Sequence, residues 1–141
     1  MMEILKSCLD KDGCLGVVRS ADGDIKEFHR RGVIDLFELV TSSPEFLKGA
    51  IMADKVIGKG AALLLVKVGV SEVYARLIST PALSVLRNAD VKVTFDMEVP
   101  NISNRTGDGI CPVEKLTSCT DSPEKAYMLI KAFISEMKKN R

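Results

Sequence analysis

The amino-acid sequence predicts an α/β fold with three α/β/α layers, in which the middle layer is a mixed sheet of four or five strands. Two β-leaning segments flank an Asp-Gly turn early in the chain, a pattern typical of an antiparallel hairpin. In the second half, strand-like and helix-like segments alternate, and this order implies parallel strands joined by crossover helices. A sheet with both kinds of pairing is mixed, and helices are expected on its faces.

The first part of the chain contains a predicted helix followed by the hairpin. Apolar residues recur at helical spacing over residues 1–9, and Gly13 follows as a stop signal. The hairpin strands are CLGVVRS and DIKEFHR, and Asp22-Gly23 suits the turn because both residues tolerate positive φ. A second helix is expected in VIDLFELVTSS, with a short turn or helix starting at Pro44.

The segment AIMADKVIGKGAALLLVKVG is the most apolar part of the chain. We predict that most of it is a buried helix that begins near Asp54, with Asp54 as its cap, and ends at Gly69. The alternative is a strand over residues 50–57 followed by a helix. Gly58 and Gly60 weaken a helix by about 1 kcal/mol each, so we expect them to serve packing against a sheet or access of a ligand.

The second half is predicted as strand, helix, strand, loop and two helices. SEVYARLIS is a predicted strand, and TPALSVLRNAD is a predicted helix with Thr80 as N-cap and Pro81 as its first residue. VKVTF is a predicted strand, and MEVPNISNRTGDG is a predicted loop. A short helix is expected in PVEKLTS, and a long helix starts at Asp121-Ser122-Pro123.

Composition limits the class of protein. The chain has 141 residues, a usual length for a single domain, so we expect one domain over residues 1–141. It has 20 basic and 19 acidic side chains and a net charge of +1, so we expect no nucleic-acid partner. No apolar run is long enough for a membrane span, and the N-terminus lacks a signal-peptide pattern, so a cytoplasmic location is expected. The cysteine spacing is poor for zinc, and no metal or cofactor is expected.

Three segments together resemble a known family: ADKVIGKGAALLL, STPALSVL and NRTGDGICPVE. They are similar to a small prokaryotic family of unknown activity within the cytidine deaminase-like superfamily, and the resemblance covers nearly the whole chain. It implies a cytidine deaminase-like fold. Zinc deaminases of that superfamily carry His-x-Glu or Cys-x-Glu at one helix start and Pro-Cys-x-x-Cys at the next.

This chain departs from the zinc-deaminase pattern at both helix starts. Gly58-Lys59-Gly60 replaces the first motif, while Pro81 is kept and Ala82 and Val85 stand where the two cysteines would be. Because these ligands are absent, we expect a metal-free domain. Zinc deaminase activity is then not expected, because hydrolytic deamination of that type depends on zinc-activated water.

Candidate ligand-binding residues lie at the two predicted helix starts. Asp54, Lys55 and Lys59 fall at or near the first, and Thr80 opens the second. Lysine side chains and free N–H groups at a helix start attract a phosphate or carboxylate. The alternative is structural, namely helix caps with lysine stems lying along apolar surface.

The loop before PVEKLTS carries the other candidates. Asn104, Arg105 and Asp108 are candidate ligand contacts among glycines that permit close approach of the backbone. Cys111 is a candidate nucleophile beside a helix start, with Glu114 as proton carrier. The alternative is an ordered connecting loop capped by a buried cysteine.

Three functions follow from these patterns. The first is binding of a small anionic metabolite, nucleoside or nucleotide in a pocket formed by the helix starts and residues 104–114. The second is a non-catalytic interaction or regulatory domain, expected to be a homo-oligomer. The third is a thiol enzyme that uses Cys111.

Overall fold

The computed structural model describes residues 1–139, so the last two residues of the predicted domain lie outside the described part. Within it the chain forms seven helices and five strands. In chain order these are α1 Met2–Cys8, β1 Gly16–Arg19, β2 Ile25–Phe28, α2 Ile34–Ser42, α3 Pro44–Leu47, β3 Ile51–Ile57, α4 Lys59–Val68, β4 Glu72–Ser79, α5 Thr80–Asn88, β5 Lys92–Val99, α6 Pro112–Thr117 and α7 Pro123–Lys139.

The strands of the described chain form one mixed sheet in the order β2-β1-β3-β4-β5. Strand β1 pairs antiparallel with both β2 and β3, while β3, β4 and β5 are parallel. The predicted hairpin and the predicted parallel pair are therefore confirmed. The helices α4 and α5 connect the parallel strands, as this pairing requires.

Helices cover both faces of the sheet. Val17, Ala53 and Tyr74 point to one face, where they pack in one cluster with Leu5 within α1 and Leu9 just after it. The residues next to them in the strands point to the opposite face and join the larger core with α2, α4, α5 and α7. The three-layer α/β/α prediction is confirmed.

The prediction of one helix from Asp54 to Gly69 is wrong, and the alternative is confirmed. Residues 51–57 form β3, which lies between β1 and β4, and α4 begins only at Lys59. A strand buried on both sides presents a continuous apolar run, and such a run cannot be distinguished from a buried helix by periodicity. Asp54 therefore lies within a strand and does not cap α4.

Two boundaries in the second half also differ from the prediction. The N-cap of α5 is Ser79, whose Oγ accepts a hydrogen bond from the Ala82 N–H at 3.2 Å, and Thr80 is already helical. Strand β5 continues beyond VKVTF to Val99, which pairs with Ser79. Asp96 and Glu98 have low strand propensity, but pairing with β4 supplies the hydrogen bonds that extend the strand.

Candidate functional site

The start of α4 is capped by a carboxylate from α6. Glu114 is only 4 % exposed, and its Oε2 accepts a hydrogen bond from the Lys59 N–H at 2.7 Å. A carboxylate is favourable here because the first N–H groups of a helix have no partner within the helix and carry partial positive charge. The Lys59 N–H at the start of α4 is therefore already bonded to the Glu114 side chain.

Two glycines allow α6 to approach α4 closely. A Cβ atom at Gly58 would lie 2.4 Å from Glu114 Oε2, and one at Gly60 would lie 2.5 Å from Val113 Cγ1. Both distances are shorter than real Cβ contacts, so a side chain at either position would force Glu114 or Val113 of α6 to shift. The glycines therefore serve packing, as one alternative predicted, but against α6 and not against the sheet.

Glu114 retains one buried oxygen without a partner. No group within residues 1–139 forms a hydrogen bond with its Oε1. The carboxylate is directed at α4, whereas Cys111 is half-buried at the N-cap of α6. The predicted role of Glu114 as a proton carrier for Cys111 gains no support from this arrangement.

The side chain of Lys59 is buried, and its charge is met by the segment that follows α6. Its Nζ lies 3.0 Å from Asp121 Oδ1 and 3.5 Å from the carbonyl oxygen of Ser118. The Lys59 side chain is 10 % exposed, whereas the Asp121 side chain is 89 % exposed. A buried ammonium group thus depends on a carboxylate that is almost entirely in solvent.

Lys59 lies in a groove of about 400 Å³ between α4, α5 and the start of α7. Asp121 and Pro123 border the groove on the side of α7. Most of the other residues that line the groove are apolar, and Lys59 adds a positive charge to the lining. The lining from α4 and α5 includes Lys59, Leu63, Val66, Ser84, Val85 and Asn88.

The predicted binding residues of the loop form a closed turn of their own. Asn104 Oδ1 accepts a hydrogen bond from the Gly107 N–H at 2.8 Å, and Asn104 Nδ2 donates one to Asp108 Oδ1 at 3.1 Å. Hydrogen bonds from Thr106 and Asn104 lower the pKa of Asp108. Arg105 is exposed within this turn. These contacts support the alternative of an ordered connecting loop.

The remaining predicted residues are dispersed. Thr80 Oγ1 donates to Glu98 Oε2 at 2.7 Å, on the exposed side of α5. Lys55 is half-buried in β3, where its N–H donates to the Leu15 carbonyl oxygen at 3.0 Å. Neither residue lines the groove that contains Lys59.

Asp54 is half-buried in β3, next to β1. Its Oδ1 accepts a hydrogen bond from the Val56 N–H at 3.0 Å, and its Oδ2 lies over Gly16, where a Cβ atom would be only 2.7 Å away. Burial disfavours the charged form and raises the pKa of Asp54 to about 7. The carboxyl group therefore changes its charge near neutral pH.

Hydrogen bonds join two pairs among the nine predicted site residues, Lys59 with Glu114 and Asn104 with Asp108. Of the nine, only Lys59 lines the groove. Three polar residues of the groove are not among the predicted site residues: Asp121, the partner of Lys59, and the lining residues Ser84 and Asn88. Ser84 and Asn88 are four residues apart on α5, and this spacing places them on one face of the helix. That spacing was the available signal.

Among residues 1–139, no three His, Cys, Asp or Glu side chains are grouped in a way that could hold a metal ion. In the same part of the chain, no helix combines the length and apolar character needed to cross a membrane.

The fold and the groove define an α/β domain with a buried lysine between helices. Residues 4–134 match the family model described as "Domain of unknown function (DUF1893)", also called TM1506, and the chain belongs to this family. A crystal structure of a DUF1893 family protein, TM1506 from Thermotoga maritima, is similar, with a TM-score of 0.79 and 24 % identity over 93 % of this chain and 88 % of that chain. This likeness concerns the fold. No curated protein matches the chain.

Proposed function

We propose that this domain binds a small metabolite that carries a carboxylate or phosphate group, with Lys59 as the charge that recognises it. The supporting observation is the buried Lys59 ammonium within a groove of about 400 Å³. Grooves of this size suit small-molecule ligands, and a few charged or polar groups among apolar walls fix the ligand's orientation. Nucleotides belong to this class of ligand.

The walls of the groove indicate the rest of the ligand. Leu63, Val66 and Val85 offer apolar surface to a hydrocarbon or ring portion, while Ser84 and Asn88 can form hydrogen bonds with hydroxyl or amide groups. The backbone N–H of Lys59 is already bonded to Glu114, so the ligand's anion is expected at Nζ. The proposal thus favours an amphipathic anion.

Replacing Lys59 by methionine tests this proposal. Hexanoate and hexyl phosphate serve as probes, with uncharged 1-hexanol for comparison, and binding is measured by titration calorimetry and by amide shifts in NMR spectra. We expect a Kd of about 1 mM or tighter for the anions with the unmodified protein. Methionine keeps the apolar stem and removes the charge, so Lys59→Met should weaken anion binding about tenfold or more.

The matched control is Lys67→Met, which removes a charge from an exposed position on the same helix. This control should bind both anions as the unmodified protein does. Equal affinity in the Lys59 and Lys67 variants would contradict the proposal, provided that both variants keep the thermal stability of a folded domain.

We also propose that two copies of the chain associate through β5. Within the described residues no strand pairs with its outer edge, although β5 is eight residues long. The register aligns Val56 with Leu77 and Leu77 with Met97, and Val56 is 45 % and Met97 59 % exposed. Antiparallel pairing of two β5 strands about a two-fold axis would satisfy both edges and bury both copies of Met97.

The second proposal predicts a dimer that depends on Met97. Sedimentation velocity should show a concentration-dependent dimer for the unmodified protein and a monomer for Met97→Glu, because the new charge would be buried at the contact. Met128→Glu is the control, since Met128 is 60 % exposed on α7 and away from β5. A purely monomeric unmodified protein would exclude this association.

The resemblance to cytidine deaminase-like domains stays a prediction, because neither match names that fold. The thiol reaction at Cys111 is not proposed, since Glu114 faces α4.

A further inference from the structure

We infer that Asp121 is the specificity-determining residue of the Lys59 groove, because its carboxylate occupies the position that the ligand's anion must take. This inference rests on the proposed function. Asp121 Oδ1 lies 3.0 Å from Lys59 Nζ, and both residues border the same groove. A ligand replaces this contact by bringing a carboxylate or phosphate of its own.

The two partners differ strongly in their freedom to move. The stem of Lys59 is buried, and its Nζ also donates to the Ser118 carbonyl oxygen, so the ammonium group is held in place. Asp121 is 89 % exposed, so its carboxylate loses little packing when it turns into water, and the incoming anion takes over its charge beside Lys59. The carboxylate of Asp121 is therefore the partner that an incoming anion displaces.

The internal carboxylate also selects among ligands. A neutral ligand cannot replace Asp121, because it would leave the buried Lys59 ammonium with only the Ser118 carbonyl as a described partner. Like charges repel, so a ligand with several negative charges is disfavoured as long as Asp121 remains near the groove. The groove thus favours a ligand with a single negative charge at the end that reaches Lys59.

The variant Asp121→Asn tests this inference with hexanoate, hexyl phosphate and 1-hexanol as probes. Removing the competing charge should tighten hexanoate binding about fivefold, and hexyl phosphate, whose phosphate is doubly charged, should gain more. Binding of 1-hexanol should not change. The control Glu124→Gln removes an equal charge from the exposed first turn of α7, at a residue that does not itself line the groove.

Each result has a defined meaning. Tighter anion binding by Asp121→Asn, with unchanged binding by Glu124→Gln, supports the inference. Equal or weaker anion binding by Asp121→Asn, while the unmodified protein binds and Lys59→Met does not, overturns the role of Asp121 and leaves the proposed function intact. If neither the unmodified protein nor Asp121→Asn binds the anions, both the role of Asp121 and the proposed function are wrong. An equal gain in Glu124→Gln would show a general charge effect and would also overturn the inference.

Discussion

Replacing Glu114 by alanine should lower the free energy of unfolding by about 2–3 kcal/mol. Glu114 Oε2 is bonded to the Lys59 N–H at 2.7 Å, and the residue is almost completely buried. The alanine variant leaves this N–H group without a partner and opens a void between α6 and α4. Urea unfolding followed by circular dichroism measures the loss.

Glu114→Gln separates the hydrogen bond from the charge. Glutamine keeps the volume and a carbonyl oxygen that can accept from the Lys59 N–H, so only the interaction of the charge with the helix start is lost. We expect a decrease of about 1 kcal/mol or less for this variant. If the alanine and glutamine variants are equally stable, the buried hydrogen bond at α4 does not stabilise the fold as the structure indicates.

Asp54→Asn should remove a pH dependence of the free energy of unfolding. The pKa of Asp54 is raised from 3.8 to about 7 in the folded chain, so between these pH values the folded state holds the proton more tightly than the unfolded state. The contribution of this group to stability is therefore complete below about pH 4 and is lost as the pH rises through about 7. Because the carboxyl group is only half-buried, we expect a loss of about 2 kcal/mol, less than the full shift implies.

The asparagine variant keeps an oxygen that can accept from the Val56 N–H, and it cannot ionise. At pH 8 it should be more stable than the unmodified protein by about 2 kcal/mol, and at pH 4 the two should be nearly equal. Thermal unfolding at a series of pH values measures the difference. Asp22→Asn, in the exposed hairpin turn, is the control and should leave the profile unchanged. If the stability of the unmodified protein and that of Asp54→Asn change with pH in the same way, the predicted titration of Asp54 is wrong.

The elements that the sequence predicted correctly carry strong local signals. The hairpin has an Asp-Gly turn, and α6 and α7 each begin at a proline that follows polar or small residues. Strand β3 was missed in the preferred interpretation because burial on both sides removes the alternation that marks a strand. Strand β5 was predicted too short because pairing with β4 outweighs the weak strand propensity of Asp96 and Glu98.

The candidate site was predicted only in part, because its contacts join distant parts of the chain. Lys59 and Glu114 were both selected by residue type, but fifty-five positions separate them, and nothing in the sequence indicates that they meet. The sequence indicates Asp121 only as the start of a helix, because its contact with Lys59 depends on how α6 and α7 pack on α4. Conversely, Asn104 and Asp108 have the composition of a binding loop but are held by contacts within their own turn.

A crystal structure of the protein with hexanoate tests the central claim most directly. We predict that a carboxylate oxygen of hexanoate lies within hydrogen-bonding distance of Lys59 Nζ, that the alkyl chain lies along Leu63 and Val66, and that Asp121 has turned into solvent. A complex in which hexanoate binds elsewhere, while Lys59 and Asp121 keep their ion pair, would contradict the proposed function.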